Sequence, residues 1–213
     1  MKRSFLTLCA ILLFSTPLIT EAAGNLDMLN AAKKGDTATV KAALDYGANV
    51  NALSRKDGTS LNLAAKRGYT KIVRLLLDHN AYVDSRDVMR VTPLIAASYG
   101  GYEKIVSMLL AKGAKVDARD NTDKTALDYA AGKGHAELVK LLLKNNANPN
   151  DTSLHGVTPL MWAAASGNSD VVTALLDKGA KVNLKDDRGM TAISYALKSK
   201  NTATAEIMKQ YQE

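Results

Sequence analysis

Hydrophobic and small residues recur along this chain at a spacing of 33 residues. Five threonines share this spacing, and each is followed two positions later by leucine or isoleucine. They are Thr59, Thr92, Thr125, Thr158 and Thr191, and the same step relates the alanines Ala31, Ala64, Ala97, Ala130, Ala163 and Ala196. A pattern that repeats at one spacing through residues 25–213 predicts a stack of similar units rather than a globule around one central core.

Each unit contains the signals of two helices and a turn. In the second unit, Thr59 is placed to cap a short first helix, which Gly68 ends. The apolar residues within 72–77 predict a second helix that is packed on both sides by neighbouring units. Asn80 stands where other units have glycine, and asparagine also tolerates the left-handed backbone conformation. An extended turn then leads to Thr92 in the next unit.

The fifth unit carries the fullest motif. It runs Val157-Thr158-Pro159-Leu160-Met161-Trp162-Ala163-Ala164, then Gly167, Val171-Val172, Leu175-Leu176 and Gly179-Ala180. This pattern resembles the ankyrin repeat, and the resemblance covers residues 25–213. It implies an all-α ankyrin-repeat solenoid of about six 33-residue helix-turn-helix units with short β-turn or hairpin connections. The expected units are 25–56 as the N-terminal cap, 57–89, 90–122, 123–155, 156–188, and 189–213 as the C-terminal cap.

The two end units depart from the motif. Leu26-Asp27-Met28 replaces the threonine motif in the first unit, and Thr204 and Ala205 replace the apolar pair of the second helix in the last unit. These are the changes that a capping unit needs, because it has one neighbour and shows its other face to water. Whether residues 201–213 form a full final helix stays open.

Residues 1–22 have the pattern of a secretory signal peptide. Met1-Lys2-Arg3 is positively charged, residues 5–19 are largely apolar, and Thr20-Glu21-Ala22 offers small residues at a cleavage site. We expect cleavage after Ala22, a repeat domain at 23–213 and a periplasmic location in a bacterium. An uncleaved membrane anchor, a lipid anchor at Cys9 and a eukaryotic secretory origin are the alternatives.

Composition lowers the prospects of several chemical functions. The single cysteine and three scattered histidines match no disulfide framework and no metal-ligand spacing. No nucleophile with an adjacent base and no glycine-rich phosphate loop is present. His135 stands where ankyrin repeats commonly have a histidine, so the resemblance implies a hydrogen bond to turn backbone there. We expect no enzyme activity, no metal and no cofactor.

The formal net charge of +7 raises the question of nucleic acid. Acidic residues are interleaved in every unit and an exported protein rarely meets nucleic acid, so we expect no such partner. No basic amphipathic segment stands apart from the array, and we expect no stable membrane insertion.

The resemblance implies that the chain binds another protein through a concave face, and we expect a monomer when it is unbound. Turn residues and solvent-facing residues of the first helices do not pack in the core, so they can vary without unfolding the stack. The predicted partner-binding residues are Lys33, Lys34, Arg55, Lys56, Lys66, Arg67, Val88, Met89, Tyr99, Asn121, Thr122, Lys133, Leu154, His155 and Arg188. This function has two versions. The chain is either an inhibitor, such as an immunity protein against a toxin enzyme, or a scaffold or stabiliser of a periplasmic enzyme, for example in oxidative-stress defence.

Three features of this face have competing interpretations. Val88-Met89 and Leu154-His155 place apolar residues in turns, where they either contact a partner or fold back onto a neighbouring turn. The basic residues of the first two units are either a docking patch for an acidic partner or a solvated surface. Tyr129, Trp162 and Tyr195 share one phase of the first helices, and packing at the core edge is the favoured interpretation over recognition.

Overall fold

A computed structural model describes the backbone of residues 17–211 and the side chains of residues 23–211. Its twelve α-helices form six successive helix-turn-helix pairs, which confirms the predicted all-α solenoid. The inner helices are α1 (Pro17–Lys34), α3 (Ser60–Arg67), α5 (Pro93–Tyr99), α7 (Ala126–Lys133), α9 (Pro159–Ser166) and α11 (Ala192–Lys198). The outer helices are α2 (Thr37–Asp45), α4 (Thr70–Asp78), α6 (Glu103–Ala111), α8 (Ala136–Lys144), α10 (Ser169–Leu176) and α12 (Thr202–Lys209).

Inner helices α3, α5, α7, α9 and α11 all begin at the predicted threonine cap. The Thr92 hydroxyl accepts a hydrogen bond from the backbone amide of Ile95 at 3.3 Å, and the other four threonines accept from the amide three residues on. In α5 and α9 a proline follows the cap, where its missing N–H costs nothing because the first helical amides have no intrahelical partner.

The recurring alanines of the inner helices set how closely the units approach one another. Ala64, Ala97, Ala130, Ala163 and Ala196 are fully buried. Each inner helix packs against the next one more extensively than the outer helices pack against each other. Because a methyl group keeps neighbouring inner helices close while larger Ile, Val and Leu side chains fill the space around the outer helices, the stack bends towards the inner row.

A hairpin-like turn connects each pair to the next, and we call these turns fingers 1 to 5. They span residues 53–59, 86–92, 119–125, 152–158 and 185–191. Finger 1 contains two short antiparallel strands, β1 (Leu53–Ser54) and β2 (Gly58–Thr59), with Leu53 opposite Thr59. The other fingers are closed at their base by one backbone hydrogen bond, for example from Asp87 N–H to Val91 C=O at 3.2 Å. Finger 4 also contains a single 3-10 turn at Leu154–Gly156.

The last unit ends in a complete helix, α12, which answers the question that the sequence left open. One expectation about this unit is wrong, because Thr204 and Ala205 are buried rather than turned to water. Helix α12 packs on α10 with these residues, and the Thr204 hydroxyl lies 3.4 Å from the Ser169 hydroxyl. The exposed side of the helix instead carries Glu206 and Lys209, which form an ion pair at 2.7 Å.

At the other end, α1 begins at Pro17 and continues through the predicted cleavage position after Ala22. Residues 1–16 of the predicted signal peptide, including Cys9, lie outside the described residues. Within residues 17–211, no helix combines the length and the apolar character that crossing a bilayer requires.

His135 has the structural role that the resemblance implied. Its imidazole covers Gly101 of the preceding unit, and Nε2 lies 3.3 Å from the carbonyl oxygen of Tyr99. Gly101 has a φ of +72°, and a Cβ added there would lie 2.7 Å from the His135 ring. The glycine is therefore required both by its left-handed backbone and by the ring that rests on it.

We expect Gly101→Ala to destabilise the stack more than Gly113→Ala does. Gly113 also has a positive φ, +83°, but a Cβ there would meet nothing within 4 Å. The control should lose about 1–2 kcal/mol from the left-handed backbone alone, and Gly101→Ala a further ~1–3 kcal/mol from overpacking against His135. Urea unfolding followed by circular dichroism measures both. Equal losses in the two variants would mean that the His135 contact contributes nothing.

Candidate functional site

The exposed side of the inner helices and the tips of the fingers form one continuous surface, which we call the inner face. All of the predicted partner-binding residues are exposed. One group lies in the last turn of an inner helix and consists of Lys33, Lys34, Lys66, Arg67, Tyr99 and Lys133. The other group lies on the finger tips and consists of Arg55, Lys56, Val88, Met89, Asn121, Thr122, Leu154, His155 and Arg188.

Backbone hydrogen bonds join the tips of neighbouring fingers. The amide of Asn121 donates to the carbonyl of Met89 at 3.0 Å, and the amide of Leu154 donates to the carbonyl of Thr122 at 3.2 Å. The amide of Asp187 donates to the carbonyl of His155 at 2.9 Å. Fingers 2 to 5 therefore form a connected row rather than independent loops, and the predicted tip residues lie side by side along it.

An aspartate at the base of the finger fixes the shape of fingers 2, 3 and 5. In finger 2, Asp87 Oδ1 accepts hydrogen bonds from the amides of Met89 at 2.8 Å and Val91 at 2.9 Å. Asp120 in finger 3 and Asp186 in finger 5 bind the corresponding two amides of their own fingers. Each of these aspartates thus stabilises its own turn by binding two backbone amides.

Two of these carboxylates are buried and remain charged. Burial alone would raise the pKa of Asp186, but hydrogen bonds from the Met190 amide, the Arg188 guanidinium and the Tyr195 hydroxyl hold it well below its usual range. Asp120 shows the same balance and also has a lowered pKa. Tyr129 donates a 2.6 Å hydrogen bond to the Asp120 carboxylate, and its own pKa is raised. Burial and this hydrogen bond raise the pKa of Tyr129 to about 12.

Finger 4 differs because Ser153 replaces the aspartate. The Ser153 hydroxyl donates to the carbonyl of Val157 at 3.0 Å, so it does not bind the tip amides in the way that Asp87 does. The tip takes a 3-10 turn in which His155 has a φ of +66°. The exposed imidazole of His155 then lies 3.5 Å from Asp187 on finger 5.

Apolar side chains on the tips are largely open to solvent. Val88 is 59%, Met89 53% and Leu154 46% exposed. About half of each side chain is therefore accessible, and Met89 and Leu154 also line recesses between neighbouring units, so contact with a partner and packing against a neighbouring turn both stay as interpretations. Exposed apolar groups on a rigid row are the arrangement typical of a protein contact surface.

Two cavities lie between the fingers and the inner helices. The first, about 250 Å³, is lined mainly by apolar groups, and it brings Met89 of finger 2 together with Lys66 of α3 and Tyr99 of α5. The second, about 640 Å³, lies between fingers 3, 4 and 5 and is lined by Leu154, His155 and Arg188 together with Trp162 and Tyr195. Residues from separate units thus meet in one recess, and the inner face is concave.

Tyr129, Trp162 and Tyr195 are half-buried and pack against the core, which confirms core-edge packing. The structure adds that they also line the cavities, a role that the sequence analysis did not assign to them. The sequence signal for this role was the equivalent position of the three rings on their helices. That signal was ambiguous, because Leu63 and Ala96 occupy the same position on other inner helices and are buried. Among residues 23–211, no group of three or more His, Cys, Asp or Glu side chains is arranged to hold a metal ion.

Asp128 is the exceptional carboxylate beneath the inner face. Its Oδ2 accepts hydrogen bonds from the amide and the hydroxyl of Thr125, but Oδ1 is buried without a hydrogen-bond partner. Burial, reinforced by the nearby Asp151 carboxylate, raises the pKa of Asp128 to about 6. Asn62 occupies the same register in the second unit, and its amide donates to the carbonyls of Ser85 and Val91 in the next finger. Asp128 thus stands where Asn62 stands two units earlier, but its side chain is ionisable and its Oδ1 makes no hydrogen bond.

We expect Asp128→Asn to stabilise the protein at pH 8 and to have little effect at pH 4. The folded state holds the Asp128 proton more tightly than the unfolded state does, so this group's contribution to stability is lost as the pH rises from about 4 to about 6. Asparagine removes that loss and supplies a donor, so the gain should be on the order of 2–3 kcal/mol. Denaturant unfolding across this pH range measures it, with the exposed Asp117→Asn as control. A gain independent of pH would contradict the raised pKa.

Comparison with known protein families agrees with this architecture. A family model described as ankyrin repeats matches the chain in three copies, over residues 28–120, 89–153 and 129–213. Together these matches extend over residues 28–213. No curated protein matches the chain.

Proposed function

Because the chain belongs to the ankyrin-repeat family, whose repeats are generally protein–protein interaction modules, we propose that it is a non-catalytic protein that binds a folded protein partner through its inner face. The observation that carries this proposal is the row of hydrogen-bonded finger tips with exposed Met89 and Leu154. A rigid surface loses little conformational entropy when a partner docks, so its apolar contacts contribute more fully to affinity.

We propose inhibition as the biological consequence, in the form of an immunity protein that covers the active-site mouth of a toxin enzyme. Protruding apolar tips support this version, because they can enter a cleft that a flat surface would only cover. The alternative is a scaffold or stabiliser of a periplasmic enzyme. An inhibitor lowers the activity of its partner at stoichiometric ratio, whereas a stabiliser raises the activity or the abundance of its partner.

We expect the double variant Met89→Asp and Leu154→Asp to lose partner capture. Each change puts a charge where an apolar group would be desolvated in the complex, so the affinity should fall by at least about a hundredfold. Affinity capture from envelope extract identifies the partner, and titration with the purified partner measures the loss. The control Tyr46→Asp changes a side chain that is 91% exposed at the end of outer helix α2. Capture that persists in the double variant, with unchanged melting, would exclude the finger tips from the site.

We also propose that the chain is exported to the periplasm and that residues 1–22 are removed. The charged start, the apolar run and the small residues before Ala23 support this.

Cell fractionation and N-terminal sequencing test this proposal. We expect a periplasmic protein that begins at Ala23, and a cytosolic precursor when a charged residue replaces the apolar Leu12 in the middle of the predicted signal peptide. Recovery of the intact 213-residue chain from the cytosol of cells expressing the natural sequence would exclude export.

A further inference from the structure

Lysine side chains and aromatic rings alternate across three inner helices and finger 3. Lys133 Nζ lies 4.4 Å from the centroid of the Tyr99 ring, and the Tyr99 and Tyr129 rings meet edge to face at 5.6 Å. Lys124 Nζ lies 5.4 Å from the Tyr129 ring and 3.9 Å from the Trp162 ring. We call these five residues the cation–aromatic strip. It holds two ammonium groups at defined places along the inner face.

The ammonium groups of this strip have no carboxylate partner within 4.0 Å among residues 23–211. On the outer helices, three acidic side chains form ion pairs with a lysine of the same helix. Lys41–Asp45, Glu137–Lys140 and Glu206–Lys209 are ion pairs within single outer helices. Lys71 and Lys104 of the outer helices are also outside these ion pairs, so the lysines of the strip are distinguished by the aromatic rings that hold them and not by the lack of a carboxylate partner.

More unpaired positive charge surrounds the first cavity. Lys66 lines it, and Arg67 follows Lys66 at the end of the same helix. Tyr99 and Tyr129 of the strip also line this cavity, with Ile95 and Val91. Lys66 thus lines this mainly apolar recess directly, and Lys133 and Lys124 are held beside it on the Tyr99 and Tyr129 rings. The carboxylates of Asp57 and Asp87 line it as well. This arrangement complements a ligand that carries negative charge on either side of an apolar group.

We propose that the inner face binds an acidic segment of its protein partner, with one apolar side chain in the first cavity and carboxylates on Lys124, Lys133 and Lys66. The inference rests on the proposed function and specifies the chemistry of the partner. A lysine stacked on an aromatic ring keeps its positive charge and has fewer accessible rotamers. Its ammonium group is therefore already positioned to donate a hydrogen bond to a carboxylate. Asp57 and Asp87 also line the cavity, so the apolar side chain occupies the cavity itself and the carboxylates of the segment lie outside it, on the lysines.

Selection of random linear peptides displayed on phage against the full chain tests the composition. We expect enriched peptides that carry Asp or Glu on both sides of a Leu, Met or aromatic residue. Enrichment of neutral or basic peptides, or no enrichment, would overturn the inference. If such peptides still compete with the partner and depend on Met89 and Leu154, the proposed function stands while the acidic segment does not.

Titration of a selected, labelled acidic peptide tests the residues. Lys124→Gln with Lys133→Gln should weaken binding by at least about tenfold, because each charge-assisted contact is lost. The matched control Lys71→Gln with Lys104→Gln removes the same charge from outer helices α4 and α6 and should bind like the natural protein. Lys124→Arg with Lys133→Arg keeps the charge and the stacking and should retain binding. An equal loss in the outer-helix control would show that only net charge matters.

Trp162 provides an internal measurement, since it is the single tryptophan of the chain. Peptide bound at Lys124 should shift its fluorescence, and the affinity should fall as salt screens the charges. A DNA oligonucleotide of the same net charge should neither shift the emission nor displace the peptide. Displacement of the peptide by DNA would overturn the assignment to an acidic protein segment.

Discussion

Close approach of the inner helices through methyl groups is the constraint on which this structure depends. Ala64, Ala97 and Ala130 are fully buried at equivalent places, and a larger side chain at any of them would push two units apart. The outer helices carry Ile, Val and Leu and stay further from one another, so the stack bends towards the inner row. The concavity is thus a packing consequence. The fingers lie together on one side of the stack, where residues that are far apart in sequence line the same cavities.

Aspartates at the base of fingers 2, 3 and 5 convert these fingers from loops into a rigid surface. A carboxylate that binds two amides of its own turn, as Asp87 does, leaves the tip little conformational freedom. Asp120 and Asp186 remain ionised in a buried position because tyrosine hydroxyls, Tyr129 and Tyr195, join the amides as donors. The same rings face the cavities, so one network both shapes the fingers and positions aromatic surface for contact. Ser153 shows that one finger departs from this scheme without breaking the row.

The sequence predicted the features that one residue type controls in every unit. Threonine caps, left-handed glycines and buried alanines act locally, and their 33-residue spacing made the six-unit array and its exposed face predictable. The cation–aromatic strip was not predictable, because Lys124, Tyr129 and Trp162 belong to a finger and two helices whose distances depend on stacking. Burial of Thr204 was also missed, since a polar residue in a capping unit suggested exposure, whereas outer helix α10 of the preceding unit covers it.

The surface that we propose for partner recognition is separate from the residues that maintain the fold. Lys66, Lys124 and Lys133 lie outside the apolar core, so their charge is available for recognition while the buried alanines and leucines keep the stack intact. The restraint of Lys124 and Lys133 by aromatic rings matters for affinity, because an exposed lysine ordinarily loses considerable rotamer freedom on forming an ion pair. Pre-stacked lysines have lost part of that freedom before the partner arrives. We therefore expect a modest number of contacts on this face to suffice for selective binding of a partner that presents carboxylates at matching positions.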